Sequence, residues 1–349
     1  MSVLDLVPVG SGQYVSDALE AGARLAMLAE SRGYHRYWVA EHHGSAATAS
    51  SSPAILLAYL AARTSRLRLG SGGVMLPNYA PLVVAEQFGM LEALAPGRID
   101  LGIGRAFGTD KKSAAALRRD GKEQQGNDFP QQVAELTAFL DGSFPEDHPY
   151  SEIPAIPGPL NNAPSALSGG SGRPPLYILG SSVNSGRLAG SLGLPYCYAH
   201  HIDSGSMDPA LAAYRECFEP SAALSDPYVV VATTAFAADD PRVAITQLYT
   251  GELTHLLKGK GVNQAVPSPR EAQTHRLTDA ERLSFARALR VCAQGTPEEV
   301  RKSLWELVQR TGADEVMITS FTHDTDLRLR SYELIADEFN IATDGQGSK

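Results

Sequence analysis

The run Tyr37-Trp38-Val39-Ala40-Glu41-His42-His43 decides how the rest of the chain is read. Its aromatic and β-branched residues form a short buried strand by pattern. It stops abruptly at one carboxylic acid and two imidazoles, and small residues from Gly44 to Thr48 follow. The polar triplet therefore sits where a strand runs out into a loop. In a parallel α/β protein that is the carboxyl end of a strand, where catalytic groups collect. A surface loop carrying two solvated histidines is the competing reading of this run alone.

Strand and helix signals alternate on either side of it. Val3 to Val9 reads as a strand, with Gly10-Ser11-Gly12 as its loop. Asp17 to Arg32 has apolar residues at helical spacing and stops at Gly33, a natural C-cap. Pro53 to Arg63 is a helix with proline in its first turn. Leu67 to Met75 is a strand interrupted by glycines, Pro81 to Leu94 a helix, and Arg98 to Gly104 a strand. Phe107 to Asn127 is polar and loop-like, Phe129 to Leu140 helical, and the proline-rich Phe144 to Pro175 an irregular connection. Strands at Leu176–Leu179, Pro195–His200, Tyr228–Phe236 and Glu315–Thr319 alternate with helices at Asn184–Leu192, Pro209–Phe218, Val300–Thr311 and Leu327–Phe339. Thr296-Pro297-Glu298-Glu299 is a strong helix start. Eight strand–helix pairs predict a (β/α)₈ TIM barrel spanning 1–340 as a single domain. A typical barrel needs ~250 residues. The excess is expected as insertions near 143–175 and 240–295, and 341–349 as a disordered tail. A doubly wound open sheet is the runner-up. Gly10-Ser11-Gly12-Gln13-Tyr14-Val15 lacks the third glycine of its dinucleotide fingerprint, which demotes it.

Composition narrows the function classes. Hydrophobic residues make up 43% and charged residues 20% of 349, the profile of a globular protein. The net charge of −9, with no run rich in Lys and Arg, argues against a nucleic-acid partner. No apolar run approaches the ~20 residues that cross a bilayer. Val3-Leu4-Asp5-Leu6-Val7 at the start leaves no room for a signal peptide. Cys197, Cys217 and Cys292 are odd in number and far apart, which disfavours a disulfide framework or a zinc cluster and fits a reducing cytoplasm.

Four motifs carry a likeness to a known family. Glu41-His42-His43 ends the second strand, and Gly70-Ser71-Gly72-Gly73-Val74-Met75-Leu76-Pro77 closes the third. Pro96-Gly97-Arg98-Ile99-Asp100-Leu101-Gly102-Ile103-Gly104-Arg105 spans the fourth, and Leu179-Gly180-Ser181-Ser182-Val183-Asn184-Ser185 follows the fifth. Together they resemble the bacterial-luciferase-like flavin-dependent monooxygenases over essentially the whole chain. Within that family the likeness is to the actinobacterial subgroup whose oxygenases tailor aromatic polyketide antibiotics. The resemblance implies reduced FMN (FMNH2) delivered by a separate NAD(P)H–flavin reductase and held at the carboxyl end of the barrel. It also implies O2 as co-substrate, and a flavin C4a-peroxide that oxidises a small organic molecule. A coenzyme F420 (deazaflavin)-dependent hydride-transfer enzyme on the same barrel and a non-catalytic flavin-binding protein are the rivals.

Residue by residue, His42 matches the family position for proton transfer, and unperturbed imidazole titrates near ~6.5, as such a role needs. Glu41 is assigned to the site beside it, while His43 points away by strand alternation and reads as structural. Gly72-Gly73 matches the place where relatives carry a non-prolyl cis peptide beneath the flavin ring. Arg105 matches a phosphate-contacting arginine, with Arg118 and Arg119 as weaker candidates. Gly180-Ser181-Ser182 before a helix makes a phosphate cradle, aided by Asn184 or Ser185, although serine capping explains the same letters. Asn78, His200 and His201 are expected near the substrate. Adjacent histidines on a strand face opposite ways, so no metal pair is expected there. Residues 250–285 resemble the family's mobile lid. The helices at 53–63 and 81–94 are apolar beyond one stripe and would pack against two-fold copies in a homodimer.

Overall fold

A computed structural model describes residues 1–117, 128–158, 161–162, 172–202 and 205–341. Its first strand, β1 (Ser2–Asp5), lies between β2 (Arg36–Val39) and the last strand, β10 (Glu315–Thr319), and is parallel to both. From β2 the ring runs through β3 (Arg68–Ser71), β5 (Ile99–Gly104), β6 (Leu176–Gly180), β7 (Tyr196–Ala199) and β8 (Val229–Ala237). The β8–β10 pairing, from Glu315 opposite Val230 to Thr319 opposite Thr234, closes the cylinder. The eight-stranded parallel barrel read from the sequence is therefore present. Two short strands extend it: β4 (Val74–Met75) along β5, and β9 (Ala293–Gly295) along β8.

Period-two patterning explains the two cores. Val3, Tyr37, Leu69, Ile99, Ile178 and Val231 point outward into a core shared with the helices. Their chain neighbours Leu4, Trp38, Tyr177, Val230 and Met317 fill the inside of the cylinder. Trp38 meets the Tyr177 ring edge-on, with centroids 4.9 Å apart. At the amino end the inward positions are polar. The Arg36 guanidinium donates to Asp100 at 2.8 Å, Glu315 at 2.9 Å and the Tyr177 hydroxyl at 2.7 Å. Arg68 also pairs with Asp100, and the Ser2 and Tyr228 hydroxyls reach Glu315. Burial works against the Arg36 and Asp100 charges. Their mutual attraction, with Arg68 and Glu315 added, outweighs it: Asp100 is held below the usual carboxylate range and Arg36 above its ordinary value. This network floors the barrel and leaves chemistry to the other end.

The helices follow their sequence signals closely. They are α1 (Val15–Arg32), α2 (Pro53–Ala61), α3 (Pro81–Leu94), α4 (Lys111–Leu117), α5 (Phe129–Asp141), α6 (Val183–Ser191), α7 (Met207–Glu216), α8 (Pro241–Gly259), α9 (Pro269–Thr274), α10 (Asp279–Arg290), α11 (Pro297–Thr311) and α12 (Thr325–Glu338). Gly33 ends α1 at φ 79°, a left-handed conformation that suits glycine. Thr296 caps α11 through the capping box with Glu299.

Two expectations need correction and two gain detail. The first strand ends at Asp5 rather than Val9, because the Asp5 carboxylate accepts the Val7 N–H at 2.8 Å and the Arg328 guanidinium at 2.7 Å. The chain then turns through Val7 at φ 50°. The third strand, read as interrupted by glycines, is two pieces parted by a cis Gly72–Gly73 peptide, at the place the family likeness suggested one. The polar stretch after Phe107 contains α4, whose start is fixed by Asp110 accepting the Lys112 and Ser113 N–H groups. The 240–295 excess is α8, α9, α10 and β9, so the lid-like stretch 250–285 is largely helical. Residues 118–127, with Arg118 and Arg119, and the tail from 342 lie outside the described residues.

Candidate active site

Because the ring strands are parallel, the residues after β2, β5, β6 and β7 emerge at one mouth. His42 follows β2 in a loop held from two sides: its own N–H donates to Ser50 at 2.9 Å, and the His43 N–H donates to Gly108 at 3.2 Å. The Gly108 carbonyl also lies 3.3 Å from His42 Nδ1. A carbonyl only accepts, so the neutral ring carries its proton on Nδ1 and keeps the Nε2 lone pair free. Burial, then the nearby Lys258 ammonium, pushes the His42 imidazole down to about 4.

His42 lines a cavity of about 580 Å³ with His200, His201, His255 and Lys258. That volume lies in the range of small-molecule sites. Burial likewise brings His201 down to about 4 and lowers His255, so these rings are neutral at pH 7. His200 Nδ1 sits 3.0 Å from the Thr233 hydroxyl, and His201 Nδ1 3.1 Å from the Ala232 carbonyl. The expectation that the two adjacent histidines face apart is corrected. Strand β7 ends at Ala199, the chain turns, and both rings reach the same cavity. Among the described residues no group of three His, Cys, Asp or Glu is placed to hold a metal.

His255 and Lys258 are site residues that the sequence reading missed. Glu252, His255 and Lys258 recur every three residues along α8 and face the cavity, while Leu253 and Leu257 on the same helix are buried elsewhere. That polar stripe is visible in the sequence once the segment is read as helix rather than loop.

A second recess of about 190 Å³ lies at the same mouth. Arg105, just past β5, lines it together with Asn184 and Ser185 in the first turn of α6. Arg105 and Asn184 are exposed to solvent. Helix geometry leaves the Val183 and Asn184 N–H groups without intrahelical acceptors. The serines are occupied in the way capping predicts. Ser182 Oγ accepts the Ser185 N–H at 3.3 Å, and Ser185 Oγ donates to the Ser182 carbonyl at 2.7 Å and lies 2.9 Å from the Tyr196 hydroxyl. The Ser181 carbonyl takes the Tyr198 hydroxyl at 3.4 Å. Gly180, Ser181 and Ser182 line neither space; from α6 the recess takes Asn184, Ser185 and Leu188.

Glu41 is fully buried and spent on internal partners. It accepts the Met75 N–H at 3.1 Å and the Asn78 amide at 3.2 Å, lies 2.7 Å from His43 Nε2, and adds to burial in raising the pKa of the Tyr79 hydroxyl. Glu41 and Asn78 therefore tie the ends of β2 and β4 together without lining the cavity. Gly72 and Gly73 are likewise packed inward. A Cβ at Gly73 would sit 2.7 Å from the Gly102 carbonyl oxygen, and one at Gly72 2.5 Å from Leu4.

The segment after α8 is strapped over this mouth. The Asn263 side chain donates to the Gly44 carbonyl and accepts the Ala46 N–H, both at 2.8 Å, on the loop that carries His42. Val266 exchanges backbone bonds with Val9 and Ser11, each 2.8 Å.

With this geometry in place, comparison with known proteins is informative. A luciferase-like monooxygenase of Escherichia coli K12 is 40% identical over 336 residues, covering 96% of each chain. An N-acetyl-S-alkylcysteine monooxygenase of Bacillus subtilis is 34% identical over 343 residues, covering 97% of each. The crystal structure of apo-MsnO8 is 34% identical, covers 98% of each chain and superposes with a TM-score of 0.84. The sequence model described as luciferase-like monooxygenase matches residues 1–315. The chain belongs to the luciferase-like monooxygenase family.

Proposed function

We propose that this chain is the oxygenase of a two-component flavin-dependent system. It receives FMNH2 from a separate NAD(P)H–flavin reductase and uses O2 to oxygenate a small organic substrate. One observation carries the reading: a cation, Arg105, and the open amino end of α6 share a recess at the same mouth as a cavity lined by neutral imidazoles. A phosphate suits that recess, since Arg105 offers a guanidinium and Val183 and Asn184 offer uncommitted N–H donors. Bound there, reduced FMN with O2 supplies the oxygen-transfer chemistry.

The protein's own part is positioning and proton handling. Glu41 fixes the rim from which His42 projects. His42 holds a proton at Nδ1 against Gly108 and accepts or returns another at Nε2. Burial and then Lys258 keep it neutral, and an anion brought beside Lys258 offsets that field and raises the basicity of His42. The strap at Asn263 and Val266 keeps water from the cavity. The packed Gly72–Gly73 peptide gives a flat backbone surface for the flavin ring. The polyketide-tailoring subgroup makes aromatic secondary metabolites the first substrates to screen. The three free cysteines fit a reducing cytoplasm. Among the described residues no helix is long and apolar enough to cross a membrane. Ile55, Met90 and Leu94, exposed on α2 and α3, suit a homodimer contact.

The deciding experiment is anaerobic titration with FMNH2 and with reduced F420, followed by oxygen. Saturable FMNH2 binding and oxygen-dependent substrate conversion are expected. Binding of F420 alone, with turnover indifferent to oxygen, would replace this reading with hydride transfer.

A further inference from the structure

Two cations on the 580 Å³ cavity have no carboxylate partner among the described residues: Lys258 on α8 and Arg287 on α10. Two nearby cations are paired, Lys260 just past α8 with Glu281, and Arg282 on α10 with Asp279 at 3.4 Å. The single carboxyl group lining the cavity is Glu252. It makes no ion pair with either cation, and burial raises its pKa. In a chain of net charge −9, two uncompensated cations on one cavity run against the average field.

The rest of the lining is amphipathic. Leu248, Val291 and Phe321 give apolar wall, with Thr48, Thr233 and Thr319 among the polar lining residues.

We infer that the cavity selects an organic monocarboxylate. Its charged end is drawn to Lys258 and Arg287, and its apolar body lies against Leu248, Val291 and Phe321. Calling that anion a substrate rests on the monooxygenase reading; its recognition does not.

The test is calorimetric titration of the full-length, flavin-free protein with 4-phenylbutyrate and with 4-phenylbutyramide, matched in shape and different in charge. Wild type should prefer the acid by about tenfold or more at low salt. The preference should shrink in Lys258→Gln and in Arg287→Gln and vanish in the double variant, with the amide's affinity unchanged. Both side chains are exposed, and that unchanged affinity reports an intact fold. Equal binding of acid and amide by wild type, no binding of the acid at millimolar concentration, or a preference that survives the double substitution overturns the inference. A flavin arm separates the two possible anions. The FMN-to-riboflavin affinity ratio should be the same in wild type and the double variant, and its collapse would assign the cations to the flavin phosphate instead. Because no turnover is read, failure of the oxygenase reading leaves these outcomes untouched.

Discussion

His42 is asked to move a proton while burial and Lys258 bring its imidazole down to about 4. Replacing it with alanine should cost product formation about a hundredfold, in the range of general acid–base contributions. FMN affinity should change little; equal loss of both, measured by turnover and flavin titration, would end its proton-transfer role. Arg105→Ala should weaken FMN while sparing riboflavin, and parallel weakening would remove Arg105 from the phosphate site. The lowered histidines also set an acid limit. His42 and His201 are depressed from 6.5 to about 4, so the unfolded chain takes up protons first as pH falls. Their contribution to stability is complete above about 6.5 and is lost progressively toward 4. Melting temperature should therefore fall across that window, and His201→Gln should flatten the fall. The residues best read from the sequence were those at strand ends, where residue type and position coincide. Glu41 follows β2 as read, but its internal partners were not legible, because nothing local says that Met75 and Asn78 converge on it.

At the level of elements, strands and helices were legible where period two or a cap signal was strong. Pro81–Leu94 matches α3 at both ends, and Thr296 caps α11 as its capping-box letters require. Legibility failed where a long-range contact decides. β1 stops at Asp5 because Arg328, far along the chain, claims that carboxylate. The α8–α10 segment carries the glycines and prolines of a loop, yet folds as helices because α8 packs on α9 and α10 through Leu253, Leu257 and Phe285. Gly73→Ala should cost about 2 kcal/mol or more of stability, since its Cβ meets backbone on β5 that cannot step aside; urea unfolding would measure it. Asn263→Ala should leave the fold intact but free the strap. Faster proteolysis near residues 260–268 and more oxygen consumed per product are expected, and unchanged values for both would deny the strap any role in excluding water.

For the molecule as a whole, the apolar surface on α2 and α3 asks for a partner. Exposed Ile55, Met90 and Leu94 stand on neighbouring helices, and a two-fold copy would cover them. Wild type should sediment as a dimer, with Met90→Glu plus Leu94→Arg shifting it to monomer. A wild-type monomer would refute that assembly. The closure of the ring has a consequence of its own for biogenesis. The seam joins Ser2 to Glu315, separated by 313 positions along the polypeptide. Until the segment around 315–319 has emerged from the ribosome, β1 and β8 are edges with bare amide and carbonyl rows, able to recruit strands from other nascent chains. Late closure of this kind favours slow maturation. Yield in the cell should then depend on chaperone supply more than the stability of the finished barrel would suggest.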